Sequence, residues 1–276
     1  MKRKNAAGQI AVYTILIIGA CFCLLPLFWL VRSSFMTSMQ IFEMPPVWIP
    51  VPFKLSNYTE ALTTVDFARF FRNTAFITVS CLIGALISSS VSAYSYARLQ
   101  WPGRRLIFAL LLASMMLPGA VTLIPTFIGW KLAGLINTYY PLILPAWFGS
   151  AFDIFLLRQF YSTIPRDLDE AAYVDGAGHL TIYWKIIVPL SKPALIVIGL
   201  FSFMGSWNDF MGPLVYLNEE SKYTVALGLQ MFQSLHSAQW NLLMAASTVV
   251  ITPVIIVFFI GQRYFIEGIT LTGLKG

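Results

Sequence analysis

The chain has 276 residues, of which 58% are hydrophobic and only 11% are charged. Soluble domains carry about 25% charged residues, so this composition excludes an ordinary water-soluble protein and predicts one embedded in lipid. The net charge of +6 comes without a long basic run, which argues against nucleic acid as a partner. The three cysteines are an odd number in apolar stretches, which argues against a disulfide framework.

Apolar segments divide the chain at lengths that suit a bilayer, since a spanning helix needs about 20 mostly apolar residues. We therefore expect an all-α integral membrane protein with six transmembrane helices and a single membrane domain over residues 1–276. The predicted spans are about 10–31, 73–97, 106–130, 139–159, 188–208 and 241–262.

The distribution of basic residues predicts the orientation of these spans. With the N-terminus inside, about twice as many of the 18 lysines and arginines fall on the inner side as on the outer side. This bias predicts that both termini are cytoplasmic. Lys2-Arg3-Lys4 and Cys21 resemble a lipoprotein signal, but the apolar run continues past Cys21, so we expect an uncleaved first span.

A short polar segment, residues 164–187, interrupts the apolar pattern on the predicted cytoplasmic side. Pro165 suits the start of a helix, and acidic residues including Glu170 follow it, where the helix dipole favours them. Gly176 suits a left-handed helix end, and a second helix runs on until Pro189 breaks or redirects it. The pattern predicts a helix–turn–helix.

The residues alone leave two interpretations of this segment equally open. It is either a docking helix for the groove of another protein or a connecting loop that contains two helical turns. A phosphate-binding loop at Asp175-Gly176-Ala177-Gly178 is a weaker third interpretation, because no strand precedes it and the lysine of such loops is missing.

The segment resembles the EAA signature of ABC importer permeases. Its matching residues are Glu170, Ala171, Ala172, Gly176, Ile186 and Pro189. Val188 replaces the usual leucine before that proline, a mild departure. Further motifs are similar to those of maltose-type carbohydrate permeases and occur in the same order along the chain. They are Ala97-Arg98-Leu99, Gly134-Leu135-Ile136-Asn137-Thr138, Trp207-Asn208-Asp209-Phe210 and Gly273-Leu274-Lys275-Gly276.

This resemblance implies a type I ABC importer permease fold in a bacterial or archaeal cytoplasmic membrane. It implies a heterodimer with a second permease subunit, two ATPase subunits or an ATPase homodimer, and an extracytoplasmic solute-binding protein. The ATPases would bind ATP and Mg²⁺, so we expect no enzyme activity, cofactor or metal site in this chain. The residues expected to couple to the ATPase are Glu170, Ala171, Ala172, Asp175, Gly176, Ile186 and Pro189.

A sugar path calls for aromatic rings and neutral hydrogen-bonding groups, because sugars present both C–H faces and hydroxyls. The candidates are Trp130, Trp147, Ser202, Ser206, Trp207 and Asn208. Ser202 and Ser206 are four residues apart and share a helix face. The alternative for the tryptophans is anchoring at the bilayer interface, and for the serines it is close helix packing.

The sequence predicts import of a sugar, a di- or oligosaccharide, by alternating access. A monosaccharide or glycerol 3-phosphate is the alternative within the same class. An ion-coupled secondary transporter is the alternative from another class, although such carriers commonly need an ionisable residue within the membrane.

Overall fold

The computed structural model describes residues 6–234 and 239–273, and these described residues contain helices but no strand. A π-helical turn covers Tyr183–Ile187 and a 3-10 turn covers Glu220–Lys222. The α-helices are α1 (Ala6–Ser33), α2 (Ser38–Ile41), α3 (Ser56–Thr64), α4 (Phe67–Arg98), α5 (Arg104–Ser114), α6 (Gly119–Leu132), α7 (Tyr140–Trp147), α8 (Ala151–Thr163), α9 (Asp167–Val174), α10 (His179–Ile182), α11 (Val188–Leu190), α12 (Lys192–Trp207), α13 (Met211–Tyr216), α14 (Val225–Ser234) and α15 (Trp240–Gly273).

Within the described part of the chain, four helical segments are long and apolar enough to cross a membrane, and two bent helix pairs also qualify when each is counted as one. This confirms the all-α membrane class. The orientation with both termini inside stays a prediction. The four segments are Gly8–Ser33, Phe67–Arg98, Tyr140–Thr163 and Trp240–Arg263.

The third predicted span is wrong as a continuous helix over 106–130. α5 and α6 meet at an angle of 102°, the geometry of a broken span or a re-entrant loop. Pro118, with φ −62° and ψ 138°, is extended and is the N-cap that precedes α6. Proline lacks the N–H that would continue the preceding helix, and it disfavours helical backbone at the residue before it. The break therefore follows from Pro118.

The fifth predicted span begins later than residue 188. α12 starts at Lys192 and makes an angle of 78° with the helical run His179–Leu190. Ser191 lies at the bend with φ −99° and ψ 8°, and Pro193 occupies the first turn of α12. Pro193 cannot donate a backbone hydrogen bond to the preceding turn, so the chain changes direction here. Pro189, the predicted breaking point, is instead inside the helical run.

The fourth span, predicted over 139–159, is interrupted between α7 and α8. Gly149 has a φ of 85°, a left-handed conformation that glycine adopts without a Cβ penalty. α8 then continues to Thr163, beyond the predicted end. The structure also extends the first, second and last helices past their predicted bounds.

The chain forms two compact units, one of which comprises the described residues of Met1–Phe67 and Gly228–Thr252. Its buried residues include a polar network around Asn57. Fully buried Asn57 donates to the carbonyl oxygens of Ser34 and Met36, at 2.8 Å each. Asn241 donates to Asn57 Oδ1 at 2.9 Å and accepts from the Ser38 hydroxyl at 2.7 Å. Because buried amides must be paired, this network fixes the start of α15 to α3.

The other unit comprises Ala68–Leu227 and the described residues of Pro253–Gly276. Its hydrophobic core lies where the C-terminal half of α4 meets α8 and the helical run that leads into α12. Tyr161, Ile182, Ile187 and Ile198 are fully buried there. The buried residues of the polar segment 164–187, such as Ile182 and Ile187, are therefore part of this core.

Candidate coupling segment and polar cavity

The polar segment forms a short helix that begins two residues after Pro165. α9 starts at Asp167 with Arg166 as its N-cap, so Pro165 precedes the cap and the prediction that it occupies the first turn is wrong. The acidic residues Asp167, Asp169 and Glu170 fill the first turn, as predicted. They lie where unpaired backbone N–H groups give the helix its positive end.

Gly176 ends α9 in the way that the sequence predicts. Its φ is 78°, and its N–H donates to the carbonyl of Tyr173 at 3.0 Å. The N–H of Ala177 donates to the carbonyl of Ala172 at 2.9 Å. These two bonds form a Schellman motif, which pairs the last carbonyls of a helix. Gly178, in contrast, has an ordinary extended backbone with φ −81° and ψ 168°.

The second helix contains a π-helical turn, Tyr183–Ile187, just before Pro189. A proline in a helix has no N–H for the carbonyl four residues earlier, which here belongs to Lys185, and its ring crowds that carbonyl. A wider turn relieves this conflict. Pro189 therefore changes the pitch of the helix, while Ser191 and Pro193 change its direction.

A buried ion pair fastens the segment to α4. Arg98 Nη1 lies 3.2 Å from Asp169 Oδ2, and the two side chains are only 4% and 12% exposed. Arg98 also donates to the carbonyl oxygen of Ile164 at 2.8 Å. The last residue of α4 thus holds both the end of α8 and the start of α9.

Hydroxyl groups make a second attachment between α4 and the segment. Ser90 Oγ lies 2.7 Å from Tyr161 Oη and 2.8 Å from Tyr183 Oη. Tyr94 donates to the carbonyl oxygen of His179 at 3.2 Å. Buried hydrogen bonds of this kind specify one packing, because breaking one leaves a buried polar group unpaired. The Ser90 hydroxyl of α4 thus serves contacts between helices.

The residues predicted to couple to an ATPase divide into an exposed and a packed group. Glu170, Ala171, Asp175, Gly176 and Pro189 are exposed. Ala172 and Ile186 are half-buried and pack against the hydrophobic core. The segment also exposes apolar side chains, with Val174 at 89% and Leu180 at 77%. The turn therefore presents acidic and apolar groups outward while its base is fixed.

Tyr173 and His179 bridge the turn from α9 to α10. Tyr173 Oη lies 2.6 Å from His179 Nδ1, and their rings meet edge to face. Partial burial raises the pKa of the Tyr173 hydroxyl, and the nearby Asp169 carboxylate raises it further by a smaller amount. The hydroxyl therefore keeps its proton at neutral pH and can donate it to an unprotonated Nδ1.

Two of the substrate-path candidates, Ser202 and Ser206, line one cavity of about 300 Å³. They share a face of α12, as their spacing predicts. Cys81 on α4 and Asp209 after α12 line the same cavity. Two threonines complete the polar lining, Thr74 on α4 and Thr224 just before α14.

The other candidates do not line this cavity, and two of them have clear packing roles. Trp207 is buried, with its ring stacked on Phe203 and edge to face with Phe71. The ring of Trp147 occupies the space beside Gly84, where an added Cβ would lie 2.6 Å from it.

Asn208 and Trp130 are the last two substrate-path candidates. The Asn208 side chain is exposed and donates to the carbonyl oxygen of Met204 at 2.8 Å, which makes it part of the end of α12. Trp130 is half-buried near the end of α6. Neither contributes to the cavity around Ser202 and Ser206.

Asn137 ties two loops together. It has a φ of 61°, and its Oδ1 accepts from the backbone N–H groups of Asn218 and Glu219 at 3.1 and 3.2 Å. Its Nδ2 donates to Glu219 Oε1 at 2.6 Å. A hydrogen bond from Lys222 lowers the pKa of the Glu219 carboxyl most, and the hydrogen bond from Asn137 lowers it further. The Gly134–Thr138 motif therefore orders the loop after α13.

Sequence reasoning missed the roles of Arg98, Thr224 and Asn137. Arg98 and Asn137 belong to motifs that the sequence shows, but their partners Asp169 and Glu219 are about 70 and 80 residues away along the chain. Thr224 carried no signal in the sequence. Two of the sequence features, Lys2-Arg3-Lys4 and Leu274-Lys275-Gly276, lie outside the described residues.

Residues 82–270 match the family described as "Binding-protein-dependent transport system inner membrane component". The diacetylchitobiose uptake system permease protein NgcG of Streptomyces coelicolor is 30% identical over 91% of this chain and 84% of its own length. The sn-glycerol-3-phosphate transport system permease protein UgpE of Yersinia pestis is 31% identical over 96% of this chain and 98% of its own.

One solved structure has both the fold and recognisable sequence similarity. It is a chain of a bacterial ABC transporter involved in the import of the acidic polysaccharide alginate. The match has a TM-score of 0.83 and 28% identity, and it covers 96% of this chain and 99% of that chain. With its match over residues 82–270, this chain belongs to the family of binding-protein-dependent transport system inner membrane components.

Proposed function

We propose that this chain is one permease subunit of an ATP-driven importer that moves a sugar into the cytoplasm by alternating access. The observation that carries the proposal is the segment 164–187. Its exposed turn is fixed at its base by the Arg98–Asp169 ion pair and ended by the Schellman motif at Gly176. An exposed turn that is fixed at its base can bind a soluble ATPase subunit and transmit the ATPase's conformational change to the membrane helices.

The known functions named for two similar proteins support a carbohydrate as the transported class. One is a diacetylchitobiose uptake permease, and the other is part of an alginate importer. The family description supports a solute-binding protein as a partner. We infer that a second permease subunit and two ATPase subunits complete the complex, and that ATP and Mg²⁺ bind to the ATPases.

Coupling would use the exposed part of the segment. Glu170 would make a charged contact with the ATPase, and the apolar side chains of Val174 and Leu180 would enter its groove in the helix-in-groove manner. ATPase closure would then favour one state of the permease through contacts that differ between its two states. The ion pair at Arg98 would carry that displacement into α4.

The test is recruitment of the ATPase. The permease pair, the binding protein and the ATPase encoded beside them are co-expressed, and the ATPase that co-purifies with the tagged chain is quantified. We expect Glu170→Lys to lower the recovered ATPase without lowering the amount of inserted permease. Asp167→Lys is the matched control, because it reverses an exposed charge on the same helix turn. Equal recovery of the ATPase from wild type and Glu170→Lys would contradict the coupling role.

Glycerol 3-phosphate is the second candidate substrate, because the similar protein UgpE is named for it. A ligand screen on the purified binding protein separates the two. The screen uses di- and oligosaccharides, monosaccharides and glycerol 3-phosphate, with melting temperature as the readout. A rise with a di- or oligosaccharide supports our proposal, and a rise with glycerol 3-phosphate alone overturns the sugar.

The ion-coupled alternative has a structural candidate, Asp153, inside the predicted span 139–159. Asp153 is buried in the apolar segment Tyr140–Thr163. Buried carboxylates in membranes commonly mark ion pathways. Asp153 is also the acidic residue in the first turn of α8, where the positive end of the helix favours a carboxylate. Under our proposal, Asp153→Asn leaves ATP-dependent uptake in place, whereas an ion-coupled carrier would lose its uptake.

A further inference from the structure

The cavity beside Ser202 lies within one unit, and most of its helical lining comes from α4, α7 and α12. α4 contributes Thr74, Ile77 and Cys81, α7 contributes Leu142 and Pro145, and α12 contributes Ser202 and Ser206. The helical walls therefore combine apolar side chains with the hydroxyl groups of Thr74, Ser202 and Ser206. Sites for small molecules have this composition and begin at about 300 Å³, the volume of this cavity.

One wall carries a hydroxyl without a partner. Thr224 is only 4% exposed, and its Oγ1 has no hydrogen-bond partner among the described residues. Its position is fixed from both sides. Asn73 Nδ2 donates to the carbonyl oxygen of Tyr223 at 3.0 Å, and the N–H of Val225 donates to Thr74 Oγ1 at 2.9 Å. Because buried hydroxyls are normally paired, Thr224 Oγ1 points to a polar ligand in the cavity.

The charge in the cavity is negative. Asp209 lies in the wall, and its Oδ1 accepts from the backbone N–H of Gly212 at 3.1 Å. Burial raises the pKa of the Asp209 carboxyl, although hydrogen bonds from the backbone of Gly212 and Met211 oppose the shift. Among the described residues, no lysine, arginine or histidine lines the cavity. An anion here would face a carboxylate without any compensating cation.

We propose that this cavity binds one ring of a neutral sugar, or a polyol of similar size, and rejects anions. The hydroxyls of Ser202, Ser206 and Thr224 would bond the ligand's hydroxyls, and Asp209 would accept from one of them. The apolar wall would cover the C–H face of the ring. The proposal rests on the proposed function, because the ring would belong to the transported sugar, and it assigns part of the sugar path to this subunit alone.

Cys81 supplies a probe inside the cavity. The sequence has three cysteines, so Cys21→Ser with Cys23→Ser leaves Cys81 as the sole thiol of this chain. Native cysteines of the partner subunits are replaced by serine as well. The rate at which methyl methanethiosulfonate labels Cys81 is then measured on the purified complete transporter. The probes are D-glucose, glycerol and, as the anion, glycerol 3-phosphate.

We expect D-glucose and glycerol to slow the labelling of Cys81 in a saturable way, and glycerol 3-phosphate to leave it unchanged. Thr224→Val keeps the shape of the side chain and removes its hydroxyl. It should raise the half-protecting concentration about fivefold, the change that one neutral hydrogen bond brings. The matched control is Thr78→Val. Thr78, on α4, is buried with an unpartnered hydroxyl as Thr224 is, but it does not line the cavity.

The outcomes separate this proposal from the proposed function. Labelling that no neutral probe slows, or that glycerol 3-phosphate slows equally, overturns the cavity as a neutral-sugar site. The same holds if Thr78→Val weakens protection as much as Thr224→Val. Uptake of the sugar by the unmodified transporter, measured in parallel, would then still uphold the proposed function. Absence of sugar uptake would instead overturn the proposed function, while protection of Cys81 would still stand as binding.

Discussion

At the residue scale, two nearby glycines of the coupling segment, residues 164–187, differ in whether their backbone conformation requires glycine. A Cβ would meet open space at both Gly176 and Gly178. Gly176 has a φ of 78°, in which an L-residue is strained, whereas Gly178 has a backbone that any residue adopts. The requirement at Gly176 is therefore one of backbone conformation and not of space.

This difference predicts opposite results for two matched variants. Gly176→Val should strain the turn by roughly 1–2 kcal/mol or more, since left-handed backbone costs about that much and a β-branched residue suffers most. The distorted turn should bind less ATPase in the co-purification assay. Gly178→Val adds the same side chain two residues later and should bind as wild type does. Equal binding by Gly176→Val and wild type would show that the Schellman turn is dispensable.

The sequence predicted the role of a residue where its partners are close along the chain, and not where they are distant along it. The conformation of Gly176 was predictable because acids begin the helix and glycine ends it within ten residues. The common face of Ser202 and Ser206 followed from their spacing of four. Thr224 was not predictable, because Asn73 and Thr74 fix its neighbours from about 150 residues away.

At the element scale, α4 is the helix to which the coupling segment is attached. Arg98 at its end pairs with Asp169, and Ser90, two turns earlier, meets Tyr161 and Tyr183. Arg98 Nε and Asp169 Oδ1 have no partner among the described residues, so the pair is incompletely bonded. Removing one partner of such a buried pair costs roughly 3–5 kcal/mol, because it leaves a buried charge.

A double-mutant cycle tests this attachment. Arg98→Met and Asp169→Asn should each lower the melting temperature and the amount of sugar moved per ATP hydrolysed. The double variant should be more stable than the sum of the two losses predicts, by more than about 1 kcal/mol, because neither charge is then left alone. Strictly additive losses would mean that the two side chains do not act as a pair. Ser162→Ala, at an exposed site on α8, serves as the control.

The existence of the long helices was predictable from charge-free apolar runs, but their bends were not. Pro118 and Pro193 lie at the two sharp bends, of 102° and 78°. Pro26 and Pro253, however, remain inside α1 and α15 without ending them. Tertiary packing decides which prolines bend a helix in a membrane, and one sequence does not show that packing.

At the scale of the whole molecule, an ATP-driven permease needs the coupling segment and the loop after α13 to lie on opposite sides of the membrane. α12 leads from the segment to that loop and is apolar along its length. The excess of basic residues favours the segment on the cytoplasmic side. The ATPase can reach the segment only with this orientation.

Single cysteines test the orientation in a variant whose three native cysteines are replaced by serine. Val174→Cys lies at the most exposed large apolar side chain of the coupling segment, and Glu220→Cys lies at an exposed position of the 3-10 turn. In intact cells, a membrane-impermeant maleimide should label Glu220→Cys and spare Val174→Cys. Val174→Cys should become labelled once the membrane is opened. Labelling of Val174→Cys in intact cells would place the segment outside and remove the ATPase contact.

ATP-dependent sugar uptake by the complete transporter is the decisive measurement. The transporter is reconstituted in liposomes with its binding protein outside, and uptake of the sugar selected by the ligand screen is followed with ATP or without it inside. We expect uptake against a gradient that requires ATP, persists when ion gradients are collapsed, and is lost with Gly176→Val. Uptake driven by an ion gradient in the absence of ATP would contradict this expectation.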